Sequence, residues 1–264
     1  MTVFYSFIRL FCLVMVSCTL PLSAATLFTE NYTGETIGQG TGTWRGYNTI
    51  SVAGTSYGGV GITTGATAPS GETGNHYLYA QNNTPSGATT TVDYFLFSSA
   101  ATSSASLFTD LVPADFSEFS ASWQQNVGGG MTGMSYYFAV QVDSAWYATS
   151  SFVTDGSLPN LRTLDLLDSD WYAVSFLEGT SMALDTSGTP LTSDSLFGSG
   201  DSITGLGFYI KNLPGANVGP PSDYRTIRFD NLTIAGAPEP SRVFLLTFSL
   251  GAIGFRRRRS LRVA

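Results

Sequence analysis

The fold is decided by the stretch SYYFAVQVDSAWYAT, residues 135–149. Aromatic and β-branched residues dominate its first eight positions, a composition typical of a buried strand. Asp143 and Ser144 then favour a tight turn, and residues 145–149 are again typical of a strand. The stretch therefore predicts a β-hairpin in the middle of the chain.

Short strands and turns continue in both directions from this hairpin. Between residues 26 and 236 no helical period is longer than a turn or two, whereas strand-like runs recur between turns rich in Gly, Ser, Thr and Asn. The further strand-like runs lie at 116–123, 171–176, 203–210 and 227–234, and a glycine turn lies at 128–130. This spacing predicts an all-β domain, an antiparallel β-sandwich.

The two ends of this region are predicted to lie together. It opens with TLFTENY at 26–32 and closes with RFDNLTI at 228–234. With the central hairpin, these segments resemble the concanavalin-like jelly rolls of laminin-G-like and carbohydrate-binding modules. The resemblance implies that the first and last strands pair, which places both termini at one end. Residues 34–75, rich in Gly and Thr, are predicted to be long loops of the same domain.

Charge and cysteine content limit the classes of partner. Charged residues make up only 12% of the 264 residues. Between residues 25 and 236, five basic residues stand against 18 of the 19 acidic ones, Glu239 being the exception, so the net charge there is −13. An acidic body of this kind argues against nucleic acid and suits divalent cations or neutral sugars. Both cysteines, Cys12 and Cys18, precede this body, so it has no disulfide or thiolate chemistry.

Residues 1–24 are predicted to be a secretory signal peptide. Arg9 supplies the positive charge, residues 10–20 form an apolar core, and small residues near Ala24 fit a cleavage site. Two alternatives remain open, a membrane anchor that is kept and a lipidated N-terminus at Cys18. The chain is accordingly divided into a signal peptide (1–24), a β-sandwich domain (25–236) and a C-terminal tail (237–264).

The C-terminal tail has three parts in a fixed order. Pro238, Glu239 and Pro240 resist helix formation, residues 243–255 are apolar, and four arginines follow, Arg256, Arg257, Arg258 and Arg259. A helix over those 13 apolar-rich residues is about 20 Å long, shorter than the ~30 Å hydrocarbon core of a bilayer. We therefore predict a short transmembrane helix whose arginines stay in the cytoplasm.

This tail resembles the PEP-CTERM sorting signal that exosortases recognise in Gram-negative bacteria. The resemblance implies an exosortase-type membrane protease that cuts near Pro238, Glu239 and Pro240. It also implies an inner-membrane intermediate and delivery of the body to the cell envelope surface or the extracellular matrix, in a setting of biofilm and exopolysaccharide. Arg242, directly after the motif, departs from the pattern because it shortens the apolar segment. The alternative is a plain membrane-anchored structural protein.

Catalytic chemistry is not expected. His76 is the single histidine, and Asp165, Asp168 and Asp170 form the only dense acidic cluster. A glycosidase needs two carboxylates across a cleft, and the Glu-x-Asp-x-x-Glu pattern of laminarinase-like jelly rolls is missing. A polysaccharide-acting hydrolase is kept as the alternative to a non-catalytic protein.

Two binding sites are predicted instead. By resemblance to jelly-roll modules, Glu30 and Asp230 match the positions of structural calcium ligands, which are hard oxygen donors. Trp44 and Tyr47, in the Gly-rich segment GTWRGY, are candidates for stacking on sugar rings, whereas Trp123 and Trp146 are expected in the core. The expected partners are the exosortase, polysaccharide and, before processing, the membrane.

Overall fold

The computed structural model describes residues 24–35, 37–38, 43–49, 59–64, 69, 76–82, 91–100, 111–128, 134–154, 160–177, 180–198, 200–214 and 225–239. The predicted signal peptide (except Ala24) and everything from Pro240 onward, including the predicted transmembrane helix and Arg256–Arg259, lie outside these residues. Within the described part, no helix combines the length and the apolarity needed to cross a bilayer.

The described residues are almost entirely β-structure. They form sixteen strands, a 3₁₀ turn at Pro113–Asp115 and one short helix, α1, at Ser193–Leu196. The strands are β1 (Ala25–Glu30), β2 (Ile37–Gly38), β3 (Trp44–Asn48), β4 (Gly59–Thr64), β5 (His76–Asn82), β6 (Val92–Ser99), β7 (Phe116–Gly128), β8 (Ser135–Val142), β9 (Ala145–Ala148), β10 (Phe152–Val153), β11 (Asn160–Asp165), β12 (Asp170–Leu177), β13 (Ser181–Leu184), β14 (Leu191–Thr192), β15 (Ile203–Leu213) and β16 (Arg225–Pro238).

One sheet contains both the first and the last strand, and we call it the terminal sheet. Its order is β11, β7, β16, β5, β4, and β1 also pairs with β16. Strand β7 pairs along nearly all of β16, while β5 and β1 share the opposite edge of β16, β5 along residues 225–229 and β1 along residues 232–236. Strand β16 is therefore hydrogen-bonded on both sides along most of its length.

The other sheet, which we call the wide sheet, has the order β13, β12, β9, β8, β15, β6, β3, β2. Strand β10 is added beside β8, and β14 beside β12. All of these pairs are antiparallel except the short β2–β3 pair. The predicted hairpin is confirmed as β8–β9, and its turn residues Asp143 and Ser144 have φ of 49° and 68°, the left-handed values that a two-residue hairpin turn requires.

The core lies between the two sheets and is built largely of aromatic rings. Phe229 of β16 stacks on Phe208 of β15 with ring centroids 3.9 Å apart and planes within 5°. Trp123 of β7 stacks on Phe138 of β8 at 5.3 Å. These four side chains are fully buried, and each pair joins one sheet to the other. Ring packing between sheets therefore holds the sandwich together without any cysteine.

The all-β, antiparallel sandwich is confirmed, and so is the pairing of the first and last strands: Ala25 lies opposite Gly236. The prediction of long loops over residues 34–75 is wrong in part, because residues 44–48 and 59–64 form β3 and β4. Each of these strands pairs with a strand more than ten residues away, a partner that a local pattern does not reveal. The finer likeness to concanavalin-like jelly rolls remains a prediction.

The ring stack between the sheets makes a quantitative prediction. Phe229→Ala removes a fully buried ring that contacts Phe208 and Tyr136, so we expect the free energy of unfolding to fall by about 3–5 kcal/mol. Leu161→Ala is the control, since Leu161 is 69% exposed and its removal should change the value by less than about 0.5 kcal/mol. Urea unfolding followed by fluorescence measures both. Equal stability of the two variants would contradict this core.

Candidate functional site

The predicted sorting motif begins inside the folded domain. Strand β16 runs on to Pro238, which pairs with Phe116, and the backbone N–H of Glu239 donates to the carbonyl oxygen of Asp115 at 3.1 Å. The hydroxyl of Ser117 donates to the carbonyl oxygen of Ala237 at 3.3 Å. Two of the three motif residues are thus attached to the sandwich, and Pro240 follows just outside the described part.

The start of the domain lies beside its end. Because β1 is antiparallel to β16, Ala25 faces Gly236 across the pair. The predicted signal-peptide cleavage site and the predicted sorting motif are therefore at the same end of the terminal sheet. Strand β16 itself continues past residue 236, to Pro238.

The predicted calcium ligands lie around a buried tyrosine. Glu30 accepts hydrogen bonds from the backbone N–H of Tyr32 (2.6 Å) and from the indole N–H of Trp44 (3.4 Å). Asp230 is fully buried and accepts from the backbone N–H of Asn231 at 2.7 Å. The hydroxyl of Tyr32 is buried and has no hydrogen-bond partner within the described residues. We call Glu30, Tyr32, Glu35 and Asp230 the acidic cluster.

The charges of the acidic cluster raise the pKa values of its own members. Burial raises the pKa of Tyr32, and the charges of Glu30 and Asp230 raise it further. Burial also raises the pKa of Glu30, to which the charge of Glu35 adds. One carboxylate oxygen of Glu35 is buried without a partner in the described structure. The cluster therefore concentrates negative charge and unsatisfied oxygens in a poorly solvated place.

A hard cation fits the chemistry of this cluster, since its donors are carboxylate and phenol oxygens. In the described part of the chain, however, no three acidic, histidine or cysteine side chains form a metal-binding group. A cation held by Glu30 and Asp230 would need backbone carbonyls or water to complete its coordination.

Trp44 does not lie in an open loop. It belongs to β3, is 1% exposed, and packs edge-on against Tyr32 with ring centroids 5.2 Å apart. No face of its indole is available for a sugar in this conformation. Trp123 is in the core between the sheets, as expected.

Tyr47 lies on the other side of the wide sheet, in what we call the outer aromatic cluster. Its ring is 5% exposed and contacts Phe97 (6.1 Å) and Phe176 (5.3 Å). Because Phe176 comes from β12 and Tyr47 from β3, the sheet must curl strongly for these two rings to meet. Trp146 also belongs to this second cluster, so the outer face of the wide sheet is filled by its own side chains.

The predicted acidic group at residues 165–170 borders a polar pocket of about 570 Å³. Asp168, Asp170 and Asp194 line it, over a floor that includes Phe152 and Leu164. Asp165 is not among the lining residues and instead caps a turn, accepting from the backbone N–H of Leu167 at 2.9 Å.

Ser193 also lines this pocket, but its hydroxyl is used for structure. It lies 2.8 Å from the carbonyl oxygen of Leu166 and accepts from the indole N–H of Trp171 at 3.0 Å. His76, the single histidine, lies in β5 of the terminal sheet and not in the pocket lining. The pocket therefore lacks a histidine beside its serine, an arrangement that nucleophilic hydrolysis commonly uses.

Comparison with known proteins gives only structural likenesses. No family model matches the chain, and no curated protein matches it. The family 11 carbohydrate-binding module of the cellulase Lic26A-Cel5E of Clostridium thermocellum is similar in structure, with 14% identity, 83% of this chain and 98% of that chain covered, and a TM-score of 0.42.

Two further solved structures are similar to a comparable degree. For the K1 cleaved adhesin domain of Lys-gingipain from Porphyromonas gingivalis W83, the identity is 12%, the coverage 80% of this chain and 97% of that one, and the TM-score 0.40. For an exo-beta-agarase, the identity is 11%, the coverage 70% of this chain and 23% of that one, and the TM-score 0.41. These likenesses are distant, and the function proposed below depends on the residues of this chain.

Burial of Trp44 predicts a structural role for its indole. Trp44→Ala should lower the free energy of unfolding by about 3–5 kcal/mol, because it removes a buried ring that contacts Tyr32. Trp44→Phe keeps a ring there and should cost clearly less. Both values come from urea unfolding of the purified chain. An unchanged stability in Trp44→Ala would show that the indole lies outside the core.

Proposed function

We propose that this chain is an exported, non-catalytic surface protein whose C-terminal signal is cut by an exosortase-type membrane protease. The signal peptide directs export, and the short apolar helix with its four arginines holds the chain in the inner membrane until it is processed. The body then reaches the cell envelope surface or the extracellular matrix, where it binds polysaccharide or forms part of the matrix structure.

The observation that carries this proposal is the position of the Pro-Glu-Pro motif relative to β16. The strand ends at Pro238, and Glu239 makes one further hydrogen bond to Asp115. A cut after Glu239 would leave every pairing of β16 intact. The chain can therefore lose its proposed membrane segment while every strand pairing of the described domain is kept.

The role in the matrix is supported by the chemistry of the body. Its net charge of −13 disfavours polyanions such as nucleic acid. Only 12% of the residues of the whole chain are charged, and many of its polar residues are Ser, Thr and Asn. Hydroxyl and amide groups of this kind hydrogen-bond readily to neutral sugars. Ring packing, in place of disulfides, is well suited to keeping such a domain folded outside the cell.

We also propose a structural calcium ion at the acidic cluster, held by Glu30 and Asp230. Its charge would offset the cost of keeping these buried carboxylates ionised beside Tyr32. Such an ion would join the first strand to the last strand, at the end of the β1–β16 pair opposite to the one where both ends of the domain leave the sheet.

Intact mass tests the sorting proposal. In native cells the wild-type protein should lack residues 1–24 and the arginine-rich end of the tail, because both signals are removed. A variant with Pro238→Ala, Glu239→Ala and Pro240→Ala should lose the signal peptide and keep the whole tail. The masses are measured on protein isolated from the same cells.

Two results would contradict the sorting proposal. A complete tail in the wild type would mean that the chain is a plain membrane-anchored protein. A tail cut equally in wild type and variant would mean that the Pro-Glu-Pro motif does not direct the cut.

The calcium proposal predicts that the melting temperature at pH 7 differs between calcium and chelator. Burial raises the pKa of Glu30 in the folded chain above its ordinary value, so the free energy of unfolding falls as the pH rises from that ordinary value to the raised pKa, and the loss is complete above it. In chelator at pH 7, Glu30→Gln should therefore melt at or above the wild-type temperature. In calcium the wild type should gain several degrees and the variant should gain little.

Glu118→Gln is the matched control, because Glu118 is an exposed glutamate on β7, and it should respond to calcium as the wild type does. Melting curves in calcium and in chelator give all the values. The same melting temperature for wild type in both conditions would rule out a structural calcium ion at Glu30 and Asp230.

A further inference from the structure

The outer face of the terminal sheet carries an ordered row of side chains that crosses four strands. Gly61 of β4 lies opposite Tyr79 of β5, Tyr79 opposite Arg228 of β16, and Arg228 opposite Asn126 of β7. The neighbouring residues Leu78, Ala80, Ile227 and Val127 belong to the core, so by strand alternation this row faces outward. A second outward row runs parallel to it through Gly59, Gln81, Thr226 and Gly128.

Glycines allow the large side chains of this face to lie flat. A Cβ atom on Gly61 would fall 2.4 Å from Cε1, Cζ and Oη of Tyr79 at once, so the phenol ring covers the Gly61 backbone. A Cβ on Gly128 would fall 2.9 Å from Nη2 and 3.2 Å from Nη1 of Arg228, so the guanidinium lies over that residue. The ring and the guanidinium thus lie along the sheet and do not project from it.

The flat side chains are held by one another. Arg228 donates from Nη1 to the amide oxygen of Asn126 at 3.4 Å, and its Cζ lies 5.7 Å from the ring centroid of Tyr77. The rings of Tyr77 and Tyr79 are 6.3 Å apart. Tyr79, Gln81 and Arg228 remain partly exposed, whereas Tyr77 (7% exposed) and Asn126 (5%) are buried and support the guanidinium. We call Gln81, Tyr79, Arg228 and Asn126 the tyrosine–arginine platform.

The charge of this face selects a ligand class. Neither row contains a carboxylate, although the body as a whole has a net charge of −13. The one charged side chain in the two rows, Arg228, already has Asn126 and Tyr77 as partners. A polyanion would gain from Arg228 alone and be repelled by the rest of the domain. A neutral chain with hydroxyl groups and apolar C–H faces matches the partly exposed amide of Gln81 and the partly exposed phenol ring of Tyr79.

We propose that the tyrosine–arginine platform is the binding site for a neutral polysaccharide, with one sugar ring stacked on Tyr79 and its hydroxyls bonded to Gln81 and Arg228. This site rests on the proposed role of the body in a polysaccharide matrix and gives that role a location. It lies on the terminal sheet, away from the buried Trp44 and Tyr47.

Two alanine substitutions two residues apart test the site. Gly61→Ala places a methyl group where the Tyr79 ring lies, and the ring can swing away at little cost to the fold because it is the end of a flexible side chain. Gly59→Ala is the matched control on the same strand and face, since its Cβ would meet Tyr79 Cε2 at an ordinary 3.8 Å. Tyr79→Ser removes the ring, and Tyr79→Phe keeps it.

Binding is measured by affinity electrophoresis of the full chain in detergent through gels with neutral hydroxyethylcellulose or polyanionic alginate. The wild type, Gly59→Ala and Tyr79→Phe should be retarded by hydroxyethylcellulose and not by alginate. Gly61→Ala and Tyr79→Ser should bind hydroxyethylcellulose about three- to tenfold more weakly, the factor expected for one lost stacking contact. Melting temperatures confirm that each variant is folded.

The outcomes separate this site from the broader proposal. A wild type retarded by hydroxyethylcellulose, with Gly61→Ala and Tyr79→Ser retarded equally, would mean that the body binds sugar elsewhere and would overturn only this site. No retardation of the wild type in either gel would overturn the site together with polysaccharide binding. Retardation by alginate that Arg228→Gln abolishes would overturn the neutral ligand class.

Discussion

The hydrogen-bonded position of β16 between β7 on one side and β5 and β1 on the other is the constraint on which the rest of the structure depends. Its inward residues Ile227 and Phe229 complete the core, and its outward residue Arg228 lies in the tyrosine–arginine platform. The register of β16 with β7 shifts between Asp230 and Thr233, at the same level where the partner on the other edge changes from β5 to β1. Asn231, with φ of 49°, takes the left-handed conformation at this irregularity, which asparagine tolerates better than most residues.

The same strand connects the fold to the proposed function, because its C-terminal end is the beginning of the predicted sorting motif. The acidic cluster lies where β1 joins this strand, with Glu30 opposite Leu232. The predicted cleavage site and sorting motif therefore lie at one end of the β1–β16 pair and the proposed cation at its other end, while the proposed sugar site lies on β5 and the first half of β16.

Sequence patterns predicted those elements whose signal is local. The hairpin of β8 and β9 and the strands β12, β15 and β16 follow from dense aromatic and β-branched runs between turns. Strands β3 and β4 were missed because glycines dilute their pattern, and those glycines are needed for close packing: a Cβ on Gly46 would lie 2.5 Å from Val60. Trp44 was expected in a loop for the same reason: its neighbours are rich in glycine, and only the pairing of β3 with β6 shows that it lies in a strand.

The tyrosine–arginine platform could not be predicted because it exists only when four strands are in register. Tyr79, Arg228 and Asn126 are distant in sequence, and Tyr77 and Tyr79 look no different from core tyrosines such as Tyr94. The paired ends, in contrast, were predicted by resemblance alone.

Hydrogen exchange of the β16 backbone, followed by mass spectrometry, tests the central position of this strand most directly. We expect the amides in residues 226–236 to exchange as slowly as those of β15, because β16 is hydrogen-bonded on both edges. Exchange as fast as in the exposed turn at residues 185–188 would contradict the central position of β16.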